Sequence, residues 1–465
     1  MPLDTEHNPP TPKVLIIGAG VCGLYAGLSL LRSGAEVTIL EKEPRIGGLA
    51  AGFKFGENYC DFGVHMLHAY DQEIYQDCAN LMGKERIEVA LDARIRFGKA
   101  TCRYPLKFKD MITSMPPLQL FRCVTGLLLA EIRGTKHSKE IYNAEDALIA
   151  FYGAPLYEFF FEEFTHQYWN IHPRDLSAEF IRRKMPRLSA VDVLRRFIPF
   201  YGKKDTALKE SALNTETLHY SKTGSETLPR SIATEITRLG GTILTEATLN
   251  DISLSAQQCE IQYDHDGQKH TFQGDHLLNT APLHSLVHSL GKSAPEQLHQ
   301  AVSQLRYKPT VVYALLVNKQ QCMDGQYTYY RNRVFHRVGE PKNAGLQVKP
   351  ANHTLLIIEA TCEVDDYKWN GTEKYQQEIT RDLALEGICE ETDMIEWKLL
   401  RNPHGYPIYT NGFEDHLEQI QAWIAAQPSL TSTGRQGGFC YPGMHTAMRL
   451  GKSSATDIIQ QHGKP

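Results

Sequence analysis

Between Lys13 and Leu40 the spacing of apolar residues changes twice. Lys13-Val14-Leu15-Ile16-Ile17 is a short β-branched run closed by Gly18, the pattern of a strand buried on both faces. From Val21 to Ser33 the positions Leu24, Leu28 and Leu31 fall at helical spacing, and Ser33-Gly34 stops the helix. Glu36 to Leu40 reads as a second strand, which completes a strand–helix–strand unit. Residues 70–215 read as mostly helical and irregular, with helical periodicity at 72–82, 118–132, 144–151 and 155–163. Alternation then returns. A helix is expected at 226–238, followed by a Gly240-Gly241 turn and strands near 242–254, 258–264 and 275–280. Long β-branched strands are expected at 305–318 and 354–362, then a helix at 371–387 and a strand at 394–400. The last forty or so residues mix loops with one C-terminal helix. No internal repeat and no clean linker interrupts the chain, so an α/β architecture with interleaved domains is expected.

Composition narrows the function classes. The chain has 465 residues, 42% hydrophobic and 22% charged, enough to bury a large core without staples. Its net charge of −5 comes without a polybasic block, which argues against a nucleic-acid partner. No apolar run reaches the roughly 18–20 residues of a transmembrane helix, and Met1–Pro12 lacks the apolar core of a signal peptide. Ten scattered cysteines without a CxxC pair fit free thiols in a reducing cytoplasm. The 19 histidines include no HExxH, and no metal site is expected. The 118–132 helix is expected in the core or in a homodimer contact, and a small molecule is the expected substrate.

The chemistry-bearing signal is Gly18-Ala19-Gly20-Val21-Cys22-Gly23, between a strand and a helix. Gly18 permits the tight turn, Gly20 lets backbone approach a pyrophosphate, and Gly23 lets helix and strand pack closely. The helix start offers free N–H groups and a positive dipole to phosphates. Glu41, 23 residues after Gly18, ends the second strand where a ribose-binding carboxylate belongs.

Gly47-Gly48 follows six residues after that acid, and Thr433-Gly434-Arg435-Gln436-Gly437-Gly438 and Tyr441-Pro442-Gly443-Met444 lie near the C-terminus. Together these motifs resemble the FAD family of amine oxidases, protoporphyrinogen oxidase, phytoene desaturase and UDP-galactopyranose mutase. The resemblance spans nearly the whole chain. It implies a Rossmann-like FAD-binding domain (11–70, 216–282 and 401–465) interleaved with a helical cap or substrate lobe (71–215) and a mixed-sheet substrate domain (283–400). It places Gly47 and Gly48, with Lys42 and Leu49 beside them, along the FAD. It places Leu249 at the adenine, Gly434 and Arg435 at the phosphates, and the Met444 helix start at the flavin carbonyl.

Within that family, Asp61-Phe62-Gly63-Val64-His65-Met66-Leu67-His68 resembles the Gly-x-His-x-x-His stretch of UDP-galactopyranose mutase. The resemblance sets His65 beside the flavin, with a catalytic proton role. Phe164-Thr165-His166-Gln167-Tyr168-Trp169 resembles the mutase stretch that lines the nucleotide pocket, with Gln167 in the place of lysine. Phe164, Thr165 and Trp169 become substrate residues, although core packing explains the cluster equally well. The mutase arginines are displaced: Met185-Pro186-Arg187-Leu188 carries its arginine one place early, and Tyr307-Lys308-Pro309 has lysine instead. Tyr406-Pro407 is retained without its acid, and Thr280-Ala281-Pro282-Leu283 replaces another mutase run. The expected catalytic set is His65, Arg187 and Tyr406, with Lys308 and Tyr406 toward the substrate. Three readings follow: an FAD-dependent oxidoreductase exchanging a hydride with a small organic substrate, a sugar-nucleotide pyranose–furanose mutase, or a flavin-holding accessory protein. NADH or NADPH is a transient reductant in the first.

Overall fold

The computed structural model describes residues 11–97, 100–104, 115–134, 141–184 and 217–462. Arg187 lies outside the described residues.

The first strand, β1 (Lys13–Ile17), the helix α1 (Val21–Arg32) and the second strand, β2 (Glu36–Leu40), form the core of a five-stranded parallel sheet. Its order runs from Leu430–Ser432 through His276–Asn279, β1 and β2 to Thr242–Leu244. Val14, Leu15 and Ile16 are fully buried because helices cover both faces. The long helix Met444–His462 packs against α1. The predicted strand at 242–254 is in fact two. Thr242–Leu244 closes the parallel sheet, and Thr248–Leu254 opens a three-stranded antiparallel sheet with Cys259–His265 and Gln268–Gly274.

A seven-stranded mixed sheet forms the second layer. Arg306–Val317 lies between Met394–Ile408 and Thr354–Thr361. Met394–Ile408 runs well past the predicted end at 400, and a register shift opposite Lys308–Thr310 absorbs Pro403 and Gly405. The segment 71–215 is not helical throughout. Ala93–Phe97 pairs in parallel with Tyr327–Tyr330 and extends the sheet to Ala100–Tyr104. Arg94, paired with Asp92 and Asp324, and Arg96, paired with Glu386, break the apolar pattern of this strand.

The described helices of residues 115–184 form a lobe around Leu148, Tyr152, Phe160, Trp169 and Ile181. The predicted 155–163 helix is one turn of α-helix, a π-helical turn at Tyr157–Phe161, and a helix at Glu162–Trp169. The helix Pro117–Gly134 buries Cys123, Leu127 and Ala130 and exposes Leu118, Phe121, Leu129 and Ile132. Among the described residues no helix is long and apolar enough to cross a membrane.

Candidate functional site

A cavity of about 890 Å³ opens at the carboxyl end of β1. There the chain leaves β1 between neighbours reached by opposite connections, the usual crevice of an open parallel sheet. The three glycines of the first loop take three different places. Gly18 has φ +98°, and a Cβ there would meet Thr280 Oγ1 at 2.6 Å. Thr280 Oγ1 in turn donates to the Ile17 and Gly18 carbonyls at 2.8 and 3.2 Å, which staples the loop. Gly20 lines the cavity and has nothing within 4 Å of its Cβ position. Gly23 lies beneath, its Cβ position only 2.0 Å from the Gly18 carbonyl oxygen.

Glu41 is buried at the end of β2 and lines the cavity. One carboxylate oxygen accepts the Ala19 N–H at 2.8 Å, the other the Glu43 N–H at 3.0 Å. A carboxylate has about four acceptor positions, so Glu41 braces the glycine loop and keeps capacity for a ligand hydroxyl. Gly47 bridges to Gly20 and donates its N–H to the Ala19 carbonyl at 2.8 Å, which sets the second glycine pair against the first loop. Lys42, Gly48 and Leu49 line the cavity here, and Leu249 lines it from the antiparallel sheet.

At the other end are His65, Arg435 and Met444. Gly434 starts a short turn of helix, packed against Cys22. The Arg435 guanidinium donates to the Pro442 carbonyl at 2.9 Å and lies 4.6 Å from the centre of the Tyr441 ring. Burial pushes the His65 imidazole down to about 3, and the Arg337 and Arg435 charges reinforce this against the ring's hydrogen bond to the Gly63 backbone carbonyl. His65 is therefore neutral at pH 7.

A polar assembly stands next to His65. Glu359 receives two bonds from the Arg337 guanidinium, at 2.7 and 2.6 Å. It also accepts the Val64 N–H at 3.3 Å, which ties the His65 loop to the sheet. Arg337 donates to the Tyr329 hydroxyl at 3.2 Å. The sequence reading missed both members of this pair. Glu359 had a signal, as a lone acid inside the wholly buried strand Thr354–Thr361. Arg337 had none.

The residues expected at the substrate fall elsewhere. Lys308 is fully buried off this cavity, and its ammonium is paired with Glu363. Thr165 and Trp169 are buried in the helical lobe, and Gln167 bonds the backbone at Asn332 and Arg333. The Phe164 side chain lies outside the described residues. Tyr406 is buried behind Arg435, its ring 4.8 Å from that of Tyr441 and 6.0 Å from that of Trp169. These aromatic groups pack as core rather than open onto the cavity.

The family model of flavin-containing amine oxidoreductases matches residues 21–337, about two thirds of the chain. The chain belongs to this family. Among solved structures, the chain superposes on reduced UDP-galactopyranose mutase with a TM-score of 0.79 at 18% identity, covering 97% of this chain and 96% of that one. A putative protoporphyrinogen oxidase from Exiguobacterium sp. 255-15 gives a TM-score of 0.71 at 16% identity, covering 98% and 100%. Curated relatives match in part. The 3-hydroxybenzoate 6-hydroxylase of Polaromonas naphthalenivorans is 33% identical over 105 residues, 20% of this chain and 24% of that protein. The dTDP-fucopyranose mutase of Escherichia coli is 25% identical over 194 residues, 39% of this chain and 48% of that protein. The chain thus spans between a fifth and a half of the length of these first relatives.

The family implies a flavin cofactor, and the cavity suits one. Its volume is near the top of the roughly 300–1,000 Å³ range of ligand pockets. Gly20 leaves backbone open to a ligand at a helix start, where N–H groups lack intrahelical partners. The buried Gln436 Oε1, which also lines the cavity, has no hydrogen-bond partner among the described residues.

Proposed function

We propose that this family member holds its flavin as FAD and exchanges a hydride with a small organic substrate of little negative charge. The FAD reading rests on the cavity lining, which runs from Leu249 past the Gly20 loop and Glu41 to Arg435, His65 and Met444. The adenosine end takes Leu249 and Glu41, the phosphates take the α1 start and Arg435, and the ring takes His65 and the Met444 helix start. When bound, the flavin supplies two-electron hydride chemistry. The protein holds a fixed positive charge at Arg435 and a neutral imidazole at His65, which offers one ring N–H donor and one bare nitrogen acceptor. The helix from Met444 adds a dipole that favours negative charge at its start.

One observation carries the substrate class. Among the described residues, Arg337 beside His65 is already neutralised by Glu359, and Lys308, off the cavity, by Glu363, so neither is free for a sugar diphosphate. Binding two phosphate charges needs free cationic forks. The second reading, a sugar-nucleotide mutase, draws support from the whole-chain fold likeness to reduced UDP-galactopyranose mutase and from the partial relative dTDP-fucopyranose mutase.

The test is direct. The purified protein is expected to be yellow and to release FAD on denaturation. UDP is expected to bind in the millimolar range or more weakly, about 4 kcal/mol or less, when followed by flavin fluorescence. Anaerobic bleaching by an amine- or carbonyl-bearing substrate supports the oxidoreductase, and NADH and NADPH are tried as reductants in the same cell. Micromolar UDP binding that tightens on reduction overturns this reading in favour of the mutase.

A further inference from the structure

His65 forms part of the wall between the large cavity and a second, small one of about 10 Å³. The small cavity is also lined by His219, Tyr220 and Ser225. A space of that size admits one water, provided polar partners await it. Two are present. The Nδ1 atoms of His65 and of His219 are both buried, and neither has a hydrogen-bond partner among the described residues. A buried polar atom left unpaired is costly, so two on residues that line one cavity call for a shared partner.

The His219 tautomer follows from its other nitrogen. Nε2 lies 3.2 Å from the Tyr75 carbonyl oxygen, which only accepts. Burial holds the His219 imidazole down at about 4, so the ring is neutral and its proton sits on Nε2. Nδ1 is then a bare acceptor that requires a donor. The His65 Nδ1 makes no bond to it, whereas a water O–H can. The ring is immobile. It stacks on Tyr75 with centroids 3.5 Å apart, and its backbone pairs with Leu67 in both directions at 3.0 and 2.9 Å.

We propose that the small cavity holds one water joining His219 Nδ1 to His65 Nδ1, which makes His219 a positioning residue for His65. The water holds the His65 ring in one orientation toward the large cavity. The functional part rests on the flavin reading above, while the water link itself does not.

The experiment pairs a crystal structure of the purified protein, at a resolution that shows single waters, with nitrogen NMR of histidine-labelled protein in flavin-free and loaded forms. His65→Gln identifies the His65 signals. His219→Phe keeps the stack on Tyr75 but offers no acceptor, and His219→Asn restores one where Nδ1 stands. We expect one water within about 2.7–3.2 Å of both Nδ1 atoms. The His65 ring signals should change in His219→Phe and return in His219→Asn. Flavin reduction should slow about tenfold or more in the Phe variant, with FAD affinity unchanged. A dry cavity, or His65 signals identical in wild type and His219→Phe, overturns the proposal. If His219→Phe does not fold, the wild-type water and the Asn variant decide. A water in place in a chain that takes up no flavin keeps the link and sinks the flavin reading instead.

Discussion

Glu41 shows how one side chain serves two structures at once. Its oxygens accept the Ala19 and Glu43 N–H groups, and the same carboxylate faces the cavity. Under the FAD reading it adds a charge-assisted bond to ribose, worth about 1.5–3 kcal/mol. Glu41→Ala should weaken FAD binding by one to two orders of magnitude, by that arithmetic. Glu41→Asp retains the charge but is a methylene shorter and cannot reach both amides, so its loss should be intermediate. Fluorescence titration of the flavin-free variants measures both. Equal affinity in all three proteins would make Glu41 a brace for the loop and nothing more.

At the scale of the element, the glycine loop separates folding from binding. A methyl on Gly23 meets the Gly18 carbonyl oxygen at 2.0 Å, so backbone must move where α1 crosses β1. Gly23→Ala should destabilise even the flavin-free protein, by about 1–3 kcal/mol for such overpacking. Gly20 has an ordinary φ of −70° and open space at its Cβ. Gly20→Ala should leave the flavin-free melting temperature unchanged and lower FAD affinity, because its methyl enters the cavity. Paired melting curves and titrations separate the two positions; a Gly20→Ala protein that melts early, or binds FAD as tightly as wild type, contradicts this assignment.

For the whole molecule, the buried histidines set the acid limit of stability. Burial lowers His65 and His276 to about 3 and His219 and His404 to about 4, against an ordinary value of 6.5. Each of the four gains a proton on unfolding once the pH drops below 6.5, so stability falls as pH falls toward 4. Asp61 opposes them. Its carboxyl, pushed up to about 6 by burial, holds its proton better folded than unfolded, so it favours the folded state as pH drops below 6. Burial also lowers His284 and His336 and raises Glu226, so the histidines outnumber the carboxyls, and the flavin-free melting temperature should fall between pH 7 and pH 5. A melting temperature that is flat or rising over that interval would show these histidines already protonated in the folded protein.

Much of the nucleotide end was legible in the sequence, because its requirements are local. A strand, a glycine turn and a helix start within a dozen residues determine where phosphate meets backbone, and Gly18, Gly20, Gly23 and Glu41 each declare a geometric need. The length of β-branched runs likewise marked Arg306–Val317 and Thr354–Thr361. Partnership was not legible. Whether a cation is free depends on which carboxylate the fold sets opposite it. Lys308 is neutralised by Glu363, 55 positions on, and Arg337 by Glu359, which also accepts the Val64 N–H across the sheet. The strand Ala93–Phe97 was hidden for the same reason, since its partner Tyr327–Tyr330 lies far along the chain. Local sequence determined the cradle for a nucleotide; only long-range packing decided which charges beside it are already neutralised and which imidazoles share a cavity, because both are set by distances between segments that no spacing in the chain encodes.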